Sequence, residues 1–468
     1  MTAHGSRFSP APASAAAALL MAVLVLFAPG VLNDPDTYWH LAAGGWILDH
    51  RTVPRVDVFS HTMAGAAWVP HEWLAEVLMA LAYRAGGFGG VLALFAAAAA
   101  AAAALVAQRL SRSLSAVGVT LALVLAAGCL APSLVARPHL LVLPVLTGWV
   151  VLLLAARDAD RAPPPWAALL MVLWANLHGS YVLGLSLAGA FGLEALLASR
   201  DRLAVIRGWG LFGLACALAA AATPNGLSGL IHPFTITSMS ALPTITEWRP
   251  ADFSKPTPFE VAILSTVFLC LWKGVKVPPL RLLIMLGLLH LALQHLRHQM
   301  VLGAVAPLIL APHIGEALGR APGPAAGLRR AGLMGAALLA AILIAARLAV
   351  PVARDDAVTP AAALAHVPAE LRAQPVFNDY DFGGYLIFSG VRPFIDGRAD
   401  MYGDAFTQAY MRADAGDPAM LAELLGTHRI AWTLLRPESA AARRLDADPA
   451  WRRLYADERA VVHVRAAP

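Results

Sequence analysis

An acidic turn follows directly after the first apolar run of the chain, residues 15–32. The turn reads NDPDTYWH (residues 33–40) and places His40 one helical turn beyond Asp36. A carboxylate within hydrogen-bond reach of a hydroxyl or amide can take up its proton while a new bond forms. A carboxylate can equally cap the helix that follows, which explains one aspartate better than two beside a histidine. Asp34 and Asp36 are therefore candidate catalytic residues.

Further polar motifs interrupt the apolar sequence at HEW (71–73), ARPH (136–139), NLHGS (176–180), TEWRPADF (246–253) and HLRH (295–298). Arginine suits phosphate because its forked donors bind two oxygens at once, although an arginine at a helix end can also contact lipid headgroups. Polar groups at the tip of a membrane hairpin are costly unless they bind a ligand or satisfy the broken backbone. The candidate binding residues are His40, His71, Glu72, Arg137, His139, Asn176, His178, Glu247, Arg249, Arg297 and His298.

The composition indicates a membrane protein. Of the 468 residues, 59% are hydrophobic and only 14% charged, whereas soluble domains carry about 25% charge. The three cysteines lie within apolar runs, so neither a disulfide framework nor a cysteine metal cluster is predicted. The net charge of +5 comes from arginines between apolar segments, which orient a protein in the membrane and do not indicate nucleic-acid binding.

About eleven apolar runs are long enough to be considered as spanning helices. They cover residues 15–32, 88–108, 113–131, 138–156, 166–177, 180–199, 207–222, 259–273, 279–294, 299–317 and 331–350. We interpret the first run as a retained helix and not as a cleaved signal peptide, because about 18 apolar residues can span a bilayer. Lys and Arg concentrate on the connections that a cytoplasmic N-terminus would place inside. The polar motifs and the C-terminus then lie on the outer side of the inner (plasma) membrane.

The predicted architecture has two domains, residues 1–351 in the membrane and residues 352–468 outside it. The first outer loop, residues 33–87, has two amphipathic juxtamembrane helices joined by a connector that is rich in proline, and residues 223–258 form a long loop. The outer domain alternates short strand and helix patterns, which indicates an α/β fold. Its predicted strands are residues 375–379, 392–397, 430–436 and 460–465, and its predicted helices are residues 361–371, 404–413, 420–426 and 439–456. Aspartates beside glycines in this domain are typical turn formers.

The spanning helix, the acidic turn and the two juxtamembrane helices together resemble the GT-C superfamily of membrane glycosyltransferases. DPDTYWHL resembles the DP segment of oligosaccharyltransferase catalytic subunits, with Asp34 at the matching position. It is also similar to the acidic pair of protein mannosyltransferases and lipid A aminoarabinose transferases, which Asp36 matches better. The resemblance covers roughly residues 15–350 in topology and the first loop in motif. It implies a polyprenyl-phosphate-linked sugar donor and a glycan, lipid or protein acceptor of the cell envelope.

The second outer loop, LAPSLVARPH, has no acidic pair and so departs from the oligosaccharyltransferase pattern. No cofactor is therefore predicted, and a divalent metal has no support beyond Asp34 and Asp36. The absence of a P-loop and of GxGxxG after a strand argues against a nucleotide-linked donor. The alternatives are a non-catalytic scaffold or sensor with an outer receptor domain and, with less support, a transporter, for which polar residues within the spans are expected.

Overall fold

The computed structural model describes residues 11–321, 323, 327–352, 354 and 356–466. The first thirteen helices are α1 (Pro12–Phe27), α2 (Asp36–His50), α3 (Trp73–Leu110), α4 (Ala116–Leu130), α5 (Pro138–Asp158), α6 (Ala168–Leu177), α7 (Tyr181–Ala198), α8 (Arg202–Ala220), α9 (Gly226–Thr237), α10 (Pro258–Lys273), α11 (Pro279–Gln294), α12 (Gln299–Ala317) and α13 (Arg330–Ala349). Each predicted apolar run coincides with one of these helices.

Among the described residues, seven helices are long and apolar enough to cross a membrane. Three shorter apolar helices cover Pro12–Phe27, Pro165–Leu177 and Pro279–Gln294. Fewer helices meet the length criterion than the eleven runs predicted, because several of them have no more than 17 residues. The chain is a multi-pass membrane protein.

The chain forms two compact units. Unit 1 contains the chain up to Ala28, Leu92–Gly226 and Pro243–Val350. Its helices pack closely where small residues meet: a Cβ added to Gly303 on α12 would come within 2.7 Å of the Cβ of Cys129 on α4. Within Arg330–Ala349 no side chain is buried, as expected for an apolar helix that faces lipid.

Unit 2 contains Pro29–Val91, Leu227–Leu242 and the chain from Pro351 onward. In the first loop, α2 confirms the first juxtamembrane helix, and α3 contains the second. The backbone leaves helical geometry at Gly86 and Gly87, where a positive φ of 57° at Gly87 ends the juxtamembrane part of α3. Helix α9 lies in the segment predicted as a long loop, so that part of the prediction is wrong. The division at residue 352 stays a prediction.

The C-terminal region is an α/β fold. Its helices are α14 (Ala361–Ala365), α15 (Ala369–Arg372), α16 (Gly383–Phe388), α17 (Ala399–Asp414), α18 (Pro418–Thr427) and α19 (Ala440–Ala447), and its strands are β1 (Val376–Asn378), β2 (Trp432–Leu435), β3 (Trp451–Ala456) and β4 (Val461–Arg465). The sheet order is β1-β2-β4-β3, with β1 parallel to β2 and the other pairs antiparallel. Successive residues such as Val376 and Phe377 belong to different hydrophobic clusters, so both faces of the sheet are covered.

Two predictions for this region are wrong. Residues 392–397 are irregular backbone with bends at Phe394 and Gly397 and not a strand, and the Asn378 side chain hydrogen-bonds the backbone of Phe394 and Ile395 in place of a neighbouring strand. Residues 439–456 are not one helix: α19 ends at Ala447, close to Pro449, and β3 follows. β3 is stabilised by pairing with β4, which local patterning does not reveal.

Candidate functional site

The acidic turn lies in unit 2, with both carboxylates buried. Asp34 Oδ1 accepts the backbone N–H of Asp36 at 2.9 Å, and the Asp34 carbonyl accepts the N–H of Thr37 at 3.3 Å. Asp34 therefore closes a turn directly before α2, whose N-cap residue is Pro35 and has no side-chain cap. This turn does not account for the buried carboxylate of Asp36.

Two glycines of the C-terminal region allow its backbone to approach this turn. A Cβ at Gly397 would collide with Asp36 Oδ1, and a Cβ at Gly384 would collide with the Pro35 carbonyl oxygen. Helix α16, which contains Gly384, packs against α2. The glycine-rich acidic sequence of the C-terminal region therefore forms one wall of the acidic turn, in addition to forming turns of its own.

His40 lies between two glutamates of the first loop. Its ring is fully buried and contacts the Trp39 ring at a tilt of 35°, with 3.6 Å between the ring centroids. His40 Nε2 is 3.7 Å from Glu72 Oε2, and Nδ1 is 3.5 Å from Glu76 Oε1. Glu76 is also buried, and its Oε2 has no hydrogen-bond partner within the described part of the chain. Buried groups of this kind can exchange protons.

A buried arginine ties the connector of the first loop to the C-terminal region. Arg398 donates two hydrogen bonds to Asp396, at 2.8 and 2.7 Å, and one to Asp57 at 2.7 Å. Tyr402 donates its hydroxyl to Asp396 at 2.7 Å. Burial by itself lowers the pKa of the Arg398 guanidinium, but the charge of Asp396 and its hydrogen bonds raise that pKa on balance. The group stays cationic and holds the two segments together.

Among the described residues, one group of three has the composition and spacing of a metal site. Ligand atoms of His71, His232 and Asp400 all lie within 4.8 Å of one another. Asp34 and Asp36 do not belong to this group. That the turn works without a metal stays a prediction.

Unit 1 contains a second polar cluster, which is built around Glu247. The carboxylate of Glu247 accepts hydrogen bonds from Arg137 and from Arg297, the latter at 3.1 Å. The Arg297 guanidinium also lies over the Trp248 ring, 4.6 Å from its centroid. Burial by itself raises the pKa of the Glu247 carboxyl, but the charges of Arg137 and Arg297 outweigh it and lower that pKa to about 2.

The tip of the α6–α7 hairpin contributes to this cluster through His178. Its Nε2 lies 3.5 Å from Arg297 Nη2, and its Nδ1 accepts the backbone N–H of Ser180 at 3.0 Å. Asn176 instead donates its amide to the carbonyls of Val172 and Ala222, at 2.8 and 2.9 Å. Those bonds satisfy backbone carbonyls near the break between the two helices, so Asn176 can be explained without a ligand.

The remaining candidates of this side have different environments. His139 Nε2 is 2.8 Å from the Ser133 carbonyl, and its ring lies 6.4 Å from that of His178. The His298 ring lies 6.4 Å from that of Trp248. The side chain of Arg249 is exposed, and its carbonyl accepts the N–H of Leu296. His139 and His298 therefore border the cluster, and Arg249 contacts the neighbouring segment through its carbonyl.

The structure thus groups the predicted residues into two clusters. The cluster of unit 2 contains Asp34, Asp36, His40, His71 and Glu72, and the cluster of unit 1 contains Arg137, His139, His178, Glu247, Arg297 and His298. Sequence reasoning missed the polar residues that complete unit 2, which are Asp57, Glu76, His232, Asp396, Arg398 and Asp400. A signal existed for three of them, because Asp396, Arg398 and Asp400 belong to the acidic, glycine-rich sequence FIDGRADMYGD (394–404), which was interpreted as turn formers only.

No protein-family model matches the chain, and no curated protein matches it in sequence. Among solved structures, the fold is similar to the archaeal oligosaccharyltransferase AglB from Archaeoglobus fulgidus in complex with an inhibitory peptide and a dolichol-phosphate, with a TM-score of 0.58 and 11% identity over 91% of this chain and 69% of that one. The apo form of the Archaeoglobus fulgidus oligosaccharyltransferase gives a TM-score of 0.55 and 12% identity, over 90% of this chain and 69% of that one.

ArnT from Cupriavidus metallidurans bound to undecaprenyl phosphate is also similar, with a TM-score of 0.51 and 12% identity over 97% of both chains. At these identities the likeness shows a shared fold. The chain therefore has a fold similar to that of GT-C membrane glycosyltransferases, and the resemblance predicted from the first loop is confirmed at that level.

Proposed function

We propose that this protein is a membrane glycosyltransferase that moves a sugar from a polyprenyl-phosphate-linked donor to an acceptor. The observation that carries the proposal is the buried acidic turn after the first apolar helix, in a fold similar to enzymes of this class. One similar structure contains a dolichol-phosphate and another undecaprenyl phosphate, which supports a lipid-phosphate ligand for this chain too.

In this proposal the acidic turn activates the acceptor. An acceptor hydroxyl or amide is a poor nucleophile, and a carboxylate of Asp34 or Asp36 takes its proton as oxygen or nitrogen bonds to the anomeric carbon. The bond from that carbon to the phosphate oxygen breaks, and the lipid phosphate leaves with the electron pair. Asp34 is the first choice from the DP resemblance and Asp36 the second. His40 orients the carboxylate or contacts the phosphate.

The arginine cluster of unit 1, taken by itself, is a proposed binding element for a lipid phosphate. Arg137 and Arg297 present guanidinium groups that both bind Glu247, and each side chain remains about a fifth to a quarter exposed. Glu247 therefore keeps two cations together that would otherwise repel each other. A lipid phosphate provides the same negative charge and can share or replace the carboxylate at these donors.

The location and acceptor follow from the arginine distribution and the resemblance. We assign the protein to the inner (plasma) membrane, with a cytoplasmic N-terminus. The C-terminal domain then lies on the extracytoplasmic side, in the periplasm. The acceptor is a cell-envelope glycan, lipid or protein, and the transferred sugar is a hexose or a pentose. Mass spectrometry of lipid that copurifies with the protein would identify the carrier.

The experiment uses purified protein and a panel of undecaprenyl- and dolichyl-phosphate hexoses and pentoses, with release of the lipid phosphate as the readout. Asp34→Asn and Asp36→Asn should reduce turnover about 10²- to 10⁴-fold while lipid binding persists. Asp49→Asn is the matched control, because Asp49 lies on α2 in an exposed ion pair with Arg84. Near-normal release of the lipid phosphate by the variant that carries both Asn substitutions would refute the assignment of Asp34 or Asp36 as the general base. If the wild-type protein consumes none of the donors, the alternative of a non-catalytic scaffold or sensor is favoured.

A further inference from the structure

Three side chains from distant parts of the sequence converge in unit 2. His71 stands just before α3, His232 lies in α9, and Asp400 is in the first turn of α17. His232 Nε2 is 3.1 Å from Asp400 Oδ2, and the rings of His71 and His232 are 4.9 Å apart. A single imidazole–carboxylate hydrogen bond accounts for the pair His232 and Asp400. It does not account for the second imidazole directed at the same place.

The spacing and the donor types fit a borderline divalent transition metal. Zinc binds imidazole nitrogen and carboxylate oxygen at about 2.0–2.2 Å, so ligand atoms of one tetrahedral ion are roughly 3.4 Å apart. The distance between His232 Nε2 and Asp400 Oδ2, 3.1 Å, is close to this value, and the other ligand-atom separations are at most 4.8 Å. A shift of His71 by roughly 1.4 Å or less would bring the three ligand atoms to the spacing of one tetrahedral ion. Two nitrogen ligands argue against magnesium and calcium, which prefer oxygen.

The surroundings hold two of the three ligands in position. His71 Nδ1 lies 3.4 Å from the Val69 carbonyl, a contact that restrains the imidazole ring. Four residues after Asp400, beyond the kink of α17 at Gly403, the carboxylate of Asp404 accepts hydrogen bonds from the backbone of Ser240 and Ala241 at 2.8 and 3.0 Å. The chain that follows α9 is therefore fixed to α17, and His232 and Asp400 are held on neighbouring elements. All three ligand residues are partly buried, which reduces competition from water.

We propose that His71, His232 and Asp400 bind one zinc ion, with a water molecule at the fourth position. The ion joins the first loop, α9 and α17, and it fixes His71 next to Glu72, which faces His40. This inference concerns metal binding and holds independently of the proposed glycosyl transfer. Three protein ligands and an open position are compatible with a structural or a reactive ion.

The test uses full-length protein without a histidine tag, first treated with a chelator and then freed of it. Elemental analysis after addition of zinc should give one ion per chain, and zinc should raise the unfolding temperature because it binds the folded state. Cobalt should bind in its place and give the visible absorption of a site with low coordination number. The zinc measurements and the cobalt spectrum do not depend on transfer activity. A failure of the zinc hypothesis can therefore be distinguished from a failure of the proposed glycosyl transfer.

Asp400→Asn removes the charged ligand while keeping the size of the side chain, and His232→Ala removes an imidazole. Each should weaken zinc binding at least about 10-fold and abolish the cobalt spectrum. His50→Ala is the matched control, because His50 ends α2 in the same unit and is exposed. If His232→Ala does not fold, Asp400→Asn decides the question. Zinc binding that is absent from the wild type, or equal in Asp400→Asn and wild type, would overturn the proposal.

Discussion

Replacement of Glu247 by glutamine tests the arginine cluster directly. The pKa of Glu247 is about 2, against an ordinary value of 4.5, because Arg137 and Arg297 favour its ionised form over the opposing effect of burial. This difference corresponds to roughly 3 kcal/mol. The side chain is 24% exposed, and solvent screening therefore reduces the expected loss of stability to about 1–3 kcal/mol. Glu247→Gln should lower the unfolding temperature in detergent by a few degrees.

The phosphate hypothesis adds a second expectation for the same variant. Without the Glu247 carboxylate, the guanidiniums of Arg137 and Arg297 lack their common anion and repel each other. A bound lipid phosphate therefore relieves more repulsion in this variant than in the wild type. Undecaprenyl phosphate should therefore raise the unfolding temperature more in Glu247→Gln than in the wild type. Glu194→Gln is the matched control, since Glu194 pairs with Arg281 at 3.1 Å in the same unit. That control should lose stability without gaining a response to the lipid.

The pH dependence has a defined sign. A carboxyl whose pKa is lowered on folding stabilises the protein above its ordinary pKa, and this contribution disappears as the pH falls towards the folded value. The difference in unfolding temperature between wild type and Glu247→Gln should thus be full above about pH 4.5 and shrink towards pH 2. Equal lipid responses in wild type, Glu247→Gln and Glu194→Gln would refute the assignment of phosphate binding to this cluster.

Three further predictions follow from the structure. Gly397→Ala should displace Asp36 and reduce transfer at least about 10-fold. Gly45→Ala is the control and should leave turnover unchanged, because a Cβ at Gly45 meets open space. Equal turnover in the two variants would show that the position of Asp36 does not matter for the reaction. Arg398→Ala leaves Asp57 and Asp396 buried without their cation and should cost about 3–5 kcal/mol of folding stability in denaturation. Arg453→Ala, at an exposed ion pair with Asp446, should cost little folding stability, and similar losses in the two variants would contradict the anchoring role of Arg398. An alkaline phosphatase fusion after Arg354 should be active and one after Lys276 inactive, and the reverse pattern would invert the topology.

Local features of the sequence sufficed for the helices and for several details of the site. A helix depends on a continuous apolar run and on its ends, so the runs, the break at residues 178–180 and the start of α2 at the acidic turn could all be predicted. Arg137 and Arg297 could also be picked out, since each stands in a polar motif where an apolar run begins, but their common partner Glu247 could not. The α/β nature of the C-terminal region followed from the alternation of short patterns.

The partners of the site residues were decided by tertiary structure alone. Asp57 and Arg398 are 341 residues apart in sequence, and His232 and Asp400 are 168 apart. Neither pair belongs to one periodic segment, so no local pattern links them. No local pattern links Gly397 to Asp36 either. The missing side chain of Gly397 matters only because the Asp36 carboxylate packs against its backbone. Periodicity reports which face of an element is apolar, but which element covers that face depends on long-range packing.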